Sequence, residues 1–188
     1  MEHLILQFST SSDSVANWAS AAIRRLCHSP FSHVDTVLPD GNLLGSSAQG
    51  PHSPVIKGNP QGVAIRPPNY QKFGIRRQMI LRTDKVNAMH NWSMTQLGKD
   101  FDNTALWDFI GDDFPGTRDW REPTKWFCSE KKVVAFEEGG FFAYPLPWPK
   151  NRVTPTDLLL ILLMDDRWIN RDTFWQPIPG LELDKGEK

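Results

Sequence analysis

The stretch SHVDTVLPDGNLLGSSA, residues 32–48, is the strongest local signal for the fold of this chain. Alternating residues rich in Val and Thr precede Pro-Asp-Gly-Asn, and a second apolar pair follows it, as is typical of a β-hairpin. If the turn has two residues, Asp40 and Gly41 lie at its centre, and this sets the predicted register. The hairpin makes a sheet with antiparallel strands the starting point for the rest of the chain.

His33 begins the first strand of this hairpin and is the candidate general base. In the predicted register Asp35 lies opposite Ser46, and His33 lies opposite Ala48. Ser46 is then diagonal to His33 on the same face, and a one-residue bulge would bring Ser47 there instead. Asp35 also shares the face of His33, because alternate strand residues point the same way. All three side chains are candidates to orient the imidazole.

A second stretch, WFCSEKKVVA at residues 126–135, places a cysteine where a helix is predicted to begin. The pattern predicts a helix over 128–138, with Thr124 as a possible cap and Gly139-Gly140 as its stop. Unpaired backbone N–H groups at a helix N-terminus favour the thiolate form of a cysteine. Cys128 is therefore the candidate nucleophile, and Glu130 in the first turn is explained by capping.

The remaining segments predict an α+β protein of one domain, residues 1–188, with a polar tail from about 177. Separate helices and hairpins, rather than regular strand–helix alternation, favour this class over α/β. The segment 154–162 starts like a capped helix turn, and we interpret the apolar run that follows as a strand. Strands are predicted at 4–8, 62–66 and 76–84, and helices at 15–26 and 84–97.

Composition excludes several function classes. The 188 residues carry 21 basic and 22 acidic side chains, for a net charge of −1, which argues against a general nucleic-acid-binding protein. The apolar run LLLILLM at 158–164 is shorter than the ~20 residues that a membrane span needs. The first residues, MEHLILQFST, lack a basic segment and a cleavage site. We predict no signal peptide and a cytoplasmic or phage-associated protein.

Metal, cofactor and disulfide chemistry are not indicated by the cysteine and histidine spacing. Cys27, His28 and His33 do not have a familiar zinc spacing, and there is no CxxC pair. A Cys27–Cys128 disulfide stays open, although a reducing compartment is the simpler interpretation. Gly-rich phosphate-binding motifs are absent from the sequence. We therefore expect no metal and no cofactor.

Six segments taken together resemble the circularly permuted branch of the NlpC/P60 superfamily, which includes the YiiX/YebB-like cysteine hydrolases. They occur in the family's order and span most of the chain, from Phe31 to Leu159. The segments are SHVDTVLPDG, GSSAQG, GVAIRPP, LGKDFD, WFCSE and VTPTDLL.

This resemblance implies a papain-like fold, in which an antiparallel sheet or small barrel packs against helices. It makes Cys128 the nucleophile and His33 the base, and it places the third member of the triad at Ser47, where many relatives have Glu. Ser46 is the alternative third residue. Trp126 and Phe127 would wall the substrate cleft, or belong to the core.

The implied activity is that of a cysteine hydrolase, an amidase or endopeptidase that cleaves an amide bond, for example in cell-wall peptides. Its partner would be a peptide, a cell-wall fragment or an acyl substrate. The alternatives are an acyltransferase or lipid thioesterase on the same fold, or a catalytically idle binding or structural domain, as in a virion.

Overall fold

The computed structural model describes residues 2–12, 17–26, 28–48, 53–103, 124–176 and 178, and these form an α+β structure. Six antiparallel strands make one sheet in the order β4-β5-β3-β2-β1-β6. The strands are β1 Glu2–Ser11, β2 His33–Val37, β3 Leu43–Ser46, β4 Lys57–Gly58, β5 Val63–Arg66 and β6 Phe73–Thr83. Two short parallel strands, β7 Asp100–Phe101 and β8 Lys125–Trp126, pair separately. The predicted α+β class is confirmed.

Four helices accompany the sheet in the described part of the chain. They are α1 Asn17–Leu26, α2 Val86–Thr95, α3 Cys128–Glu138 and α4 Pro155–Leu163, with a 3-10 turn at Lys150–Arg152. None of these helices is long and apolar enough to cross a membrane. Cys27 and most of the tail predicted from 177 lie outside the described residues.

The main core lies between one face of the sheet and the helices. Alternate residues of β1, Leu4, Leu6 and Phe8, are buried on that face because strand side chains point to opposite sides in turn. Helix α3 contributes Phe136, and α4 contributes Leu162, to the same cluster. Burial of each such side chain contributes roughly 1.5–3 kcal/mol, so α3 is held firmly against the sheet.

The hairpin between β2 and β3 has three loop residues, rather than the two on which the predicted register depends. The N–H of Leu38 donates to the carbonyl of Asn42 at 2.8 Å, which makes these two residues the closing pair. Asp40 Oδ1 accepts from the N–H of Asn42 at 3.0 Å, and Gly41 has a φ of +83°. A three-residue hairpin loop typically ends with a residue in this left-handed conformation.

This loop moves the register of the hairpin by one residue. Thr36 pairs with Leu44 in the observed ladder, rather than with Gly45. Continuing the observed register places Asp35 opposite Gly45 and His33 opposite Ser47. The shift therefore changes the neighbours of the candidate base.

Helix α3 begins at Cys128 and ends at Glu138, as predicted. Its N-cap is Phe127 rather than Thr124, with an extended backbone at φ −80° and ψ 155°. Glu130 Oε2 accepts a hydrogen bond from the N–H of Phe127 at 3.2 Å, which confirms the predicted capping role of Glu130. The helix start fixes the position of the cysteine.

Helix α4 is helical throughout, so the predicted strand after its first turn is wrong. Thr154 and Asp157 cap it reciprocally: the N–H of Asp157 donates to Thr154 Oγ1 at 3.0 Å, and the N–H of Thr154 donates to Asp157 Oδ2 at 2.9 Å. A short apolar run does not by itself separate a strand from a buried helix. Here the capping box decides the outcome.

Candidate active site

His33 and Asp35 form a buried ion pair on strand β2. His33 Nε2 lies 3.0 Å from Asp35 Oδ2, and the two side chains are 12% and 1% exposed. Two residues apart on one strand, they point to the same side of the sheet, as strand alternation predicts. Asp35, one of the three candidates that the sequence left open, is thus the side chain that bonds the imidazole.

Gly45 on strand β3 makes room for this aspartate. A Cβ atom built on Gly45 would lie 1.7 Å from Asp35 Oδ1. Any larger residue would displace the carboxylate, because non-bonded atoms do not approach so closely. A glycine inside a strand often marks such a close approach, so this position was a usable signal in the sequence.

Tyr70 joins the pair from the loop that follows β5. Its hydroxyl donates to Asp35 Oδ2 at 3.2 Å and lies 3.2 Å from His33 Nε2. The ring packs edge-on against Phe73, with centroids 5.5 Å apart. Burial and then the charge of Asp35 raise the pKa of Tyr70 well above 10, so the hydroxyl keeps its proton. No local feature of the sequence marks Tyr70 as part of this site.

Cys128 reaches the same imidazole from the first turn of α3. It is 1% exposed, and its thiol acts on His33 both through a side-chain hydrogen bond and through charge. The structure therefore brings together the predicted nucleophile and the predicted base, although they are far apart in sequence.

The charges of this cluster favour an imidazolium beside an aspartate. Burial is the largest single influence on the pKa of His33 and lowers it, but Asp35 and then Cys128 together raise it to about 10. Burial likewise raises the pKa of Asp35, and the opposing charges of His33, Lys132 and Arg66 lower it to about 2. At neutral pH the imidazole is therefore protonated and the carboxylate ionised.

Ser46 is the last residue of β3, the strand that pairs with the one carrying His33, and Ser47 directly follows it. The Ser46 hydroxyl donates to the carbonyl of Trp126 at 2.6 Å, which ties the end of β3 to the residues before α3. Ser47 is buried and lies opposite His33 when the register is continued. Its assignment as the third catalytic residue stays a prediction.

The two aromatic residues before the cysteine differ in their surroundings. Phe127 is buried in the main core, 5.6 Å from Phe101 between ring centroids. Trp126 is half-buried, donates from Nε1 to Gln96 Oε1 at 3.2 Å and packs edge-on against Trp92. Their predicted part in substrate binding stays a prediction, and the surroundings of Phe127 are those of a core residue.

A scan of the chain against protein-family models and a search of curated proteins both found no match. The likeness to permuted NlpC/P60 hydrolases therefore rests on the sequence motifs. Within the described residues, no three His, Cys, Asp or Glu side chains are grouped so that they could hold a metal ion.

Proposed function

We propose that the protein is a cysteine-dependent hydrolase that cleaves an amide bond through an acyl-enzyme. The observation that carries the proposal is the His33 imidazole, held by Asp35 and interacting with the thiol of Cys128 at a helix N-terminus. A nucleophile, a base within reach and a group that orients the base are the parts this chemistry needs. The motif resemblance adds the papain-like fold to the proposal.

The proposed reaction starts from a thiolate–imidazolium pair. The Cys128 sulfur attacks the carbonyl carbon, a C–S bond forms, and the carbonyl electron pair moves to oxygen. The first-turn N–H groups of α3, including that of Cys128, would stabilise this oxyanion. Collapse of the intermediate breaks the C–N bond, and the His33 imidazolium gives its proton to the leaving amine. A water deprotonated by His33 then hydrolyses the thioester, which restores the pair.

For the substrate we propose a peptide amide, with cell-wall peptides as the first class to test. An acyl ester or thioester would react by the same steps, since only the leaving atom changes. A thioesterase or acyltransferase would therefore keep Cys128 and His33 and differ in the acyl donor or acceptor.

One observation favours a second candidate, a binding or structural domain without activity. Cys128 is only 1% exposed, whereas a working nucleophile must meet its substrate. In that case the buried cluster would serve the fold alone.

The test is substrate turnover by wild type, Cys128→Ala, His33→Ala and Cys27→Ala, the last being the matched control for loss of a thiol. The assay offers muropeptides and, separately, acyl esters and thioesters, and mass spectrometry looks for an acyl adduct. We expect turnover and an adduct that require Cys128 and His33 but not Cys27. Turnover that survives Cys128→Ala would overturn the proposal. No turnover, together with no thiolate at Cys128, would favour the binding domain.

A further inference from the structure

A buried lysine lies one helical turn after the proposed nucleophile. Lys132 is 1% exposed, and its Nζ donates to Thr36 Oγ1 at 2.5 Å and to the carbonyl of Leu44 at 2.7 Å. Thr36 and Leu44 are partners across β2 and β3. The lysine therefore fastens the helix that carries Cys128 to the hairpin that carries His33.

The charges around this ammonium come from three elements. It interacts through charge with Asp35 on β2, with Cys128 and Lys131 on its own helix, and with His90 on α2. Asp35 and Cys128 are the members of this set that can be negative. Burial lowers the pKa of Lys132 to about 8, and the charges of Asp35 and Cys128 oppose that fall.

A buried ammonium is strongly destabilising unless hydrogen bonds and opposite charge compensate the loss of its hydration. Thr36 and Leu44 supply neutral acceptors, and Asp35 supplies charge. The thiolate of Cys128, if formed, would supply more. Because the attraction between two opposite charges is mutual, the ammonium stabilises the thiolate by as much as the thiolate stabilises the ammonium.

We propose that Lys132 is a positioning residue of the active site, whose buried positive charge stabilises the thiolate of Cys128 while its hydrogen bonds hold helix α3 against the hairpin. This inference rests on the proposed function, since it assigns a task to Lys132 only if Cys128 acts as a thiolate. It adds a second positive charge to the site, beside that of the His33 imidazolium.

The neighbouring Lys131 is a matched control. It is also fully buried on α3, but its Nζ has no hydrogen-bond partner among the described residues, and the charges that act on it are those of Lys132, Asp35 and Arg66 rather than Cys128. Burial lowers the pKa of Lys131 well below its ordinary value. Lys131→Met thus removes a second buried lysine side chain from the same helix without touching the bonds to Thr36 and Leu44.

The experiment measures thiolate formation against pH by the ultraviolet absorbance difference from a Cys128→Ala background, which needs no reagent to reach the sulfur. Thermal melting checks that each variant is folded. We expect Lys132→Met to raise the pH midpoint by about one unit, a tenfold loss of thiolate below the midpoint. Lys131→Met should leave the midpoint within about 0.3 units, a twofold effect.

The variant His33→Ala distinguishes a failure of the role proposed for Lys132 from a failure of the proposed function. If it moves the midpoint and Lys132→Met does not, the role of Lys132 is overturned and the proposed function stands. If neither variant moves it, the proposed function fails as well. Should Lys132→Met not fold, Thr36→Val keeps the charge and removes one acceptor. A smaller upward shift is then expected, and an unchanged midpoint overturns the inference.

Discussion

The replacement Asp35→Asn tests whether the aspartate controls the protonation of the proposed base. Asparagine has the same shape, and its oxygen can still accept from His33 Nε2, so the change removes mainly the negative charge. With a pKa of about 10, His33 is about 99% protonated at pH 8. Without the charge of Asp35, the pKa falls back towards its ordinary value of 6.5, where about 3% is protonated at pH 8.

The assay is a pH titration of the imidazole signals by NMR, with His33 assigned from the signal that His33→Ala removes. Asp166→Asn, which neutralises a fully exposed carboxylate, is the control and should leave His33 unchanged. A parallel measurement of Cys128 thiolate should show a large loss in Asp35→Asn at pH 8. If the imidazole of Asp35→Asn titrates at the same pH as in wild type, the reasoning that the ion pair sets its protonation is wrong.

Three further predictions concern the same cluster. Gly45→Ala places a Cβ against Asp35 Oδ1 and should cost about 1–3 kcal/mol in urea unfolding while lowering the His33 titration midpoint; an unchanged midpoint would contradict the contact. Tyr70→Phe removes the donor to Asp35 and should cost about 1–2 kcal/mol, with a smaller effect on the thiolate than Asp35→Asn has; a larger effect would place Tyr70 ahead of Asp35. The pKa of His33 in the folded protein is about 10, above its ordinary value of 6.5, so its protonated form stabilises the fold fully below pH 6.5 and loses this effect as the pH rises towards 10. The free energy of unfolding, measured at a series of pH values, should fall over this range. A flat profile would refute the pairing of His33 with Asp35.

The sequence limits the candidates for the hydrogen-bond partner of His33 to Asp35, Ser46 and Ser47, but it does not decide among them. Alternation alone placed Asp35 on the face of His33, and this part of the prediction needs no knowledge of the turn. The choice between Ser46 and Ser47 as the serine nearer to His33, by contrast, depends on the length of the turn. Pro-Asp-Gly-Asn suits both two-residue and three-residue loops, and the difference of one residue decides what lies opposite His33.

Tyr70 and Lys132 are the two members of the cluster that the sequence did not reveal, and the reasons differ. Tyr70 is distant from His33 along the chain and sits in a loop, so only the folded sheet brings it to the pair. Lys132 did have a signal: it is four residues after Cys128 and so lies on the same helix face. In the run SEKK a lysine looks like an ordinary solvated surface residue, and only its burial in the folded structure distinguishes Lys132.

A core built for stability alone would place apolar side chains where this chain buries Cys128, His33, Asp35, Tyr70 and Lys132. Replacing buried ionic groups by apolar ones of similar volume is often neutral or stabilising, whereas removing one partner is costly. The cluster is therefore a costly way to hold α3 in place, since apolar side chains of this helix, Val133 and Phe136, already belong to the main core. Clusters of perturbed ionisable groups are typical of functional sites. This contrast supports the proposed hydrolase, and the comparison of Lys132→Met with Lys131→Met tests whether the buried charge of Lys132 serves the chemistry or only the fold.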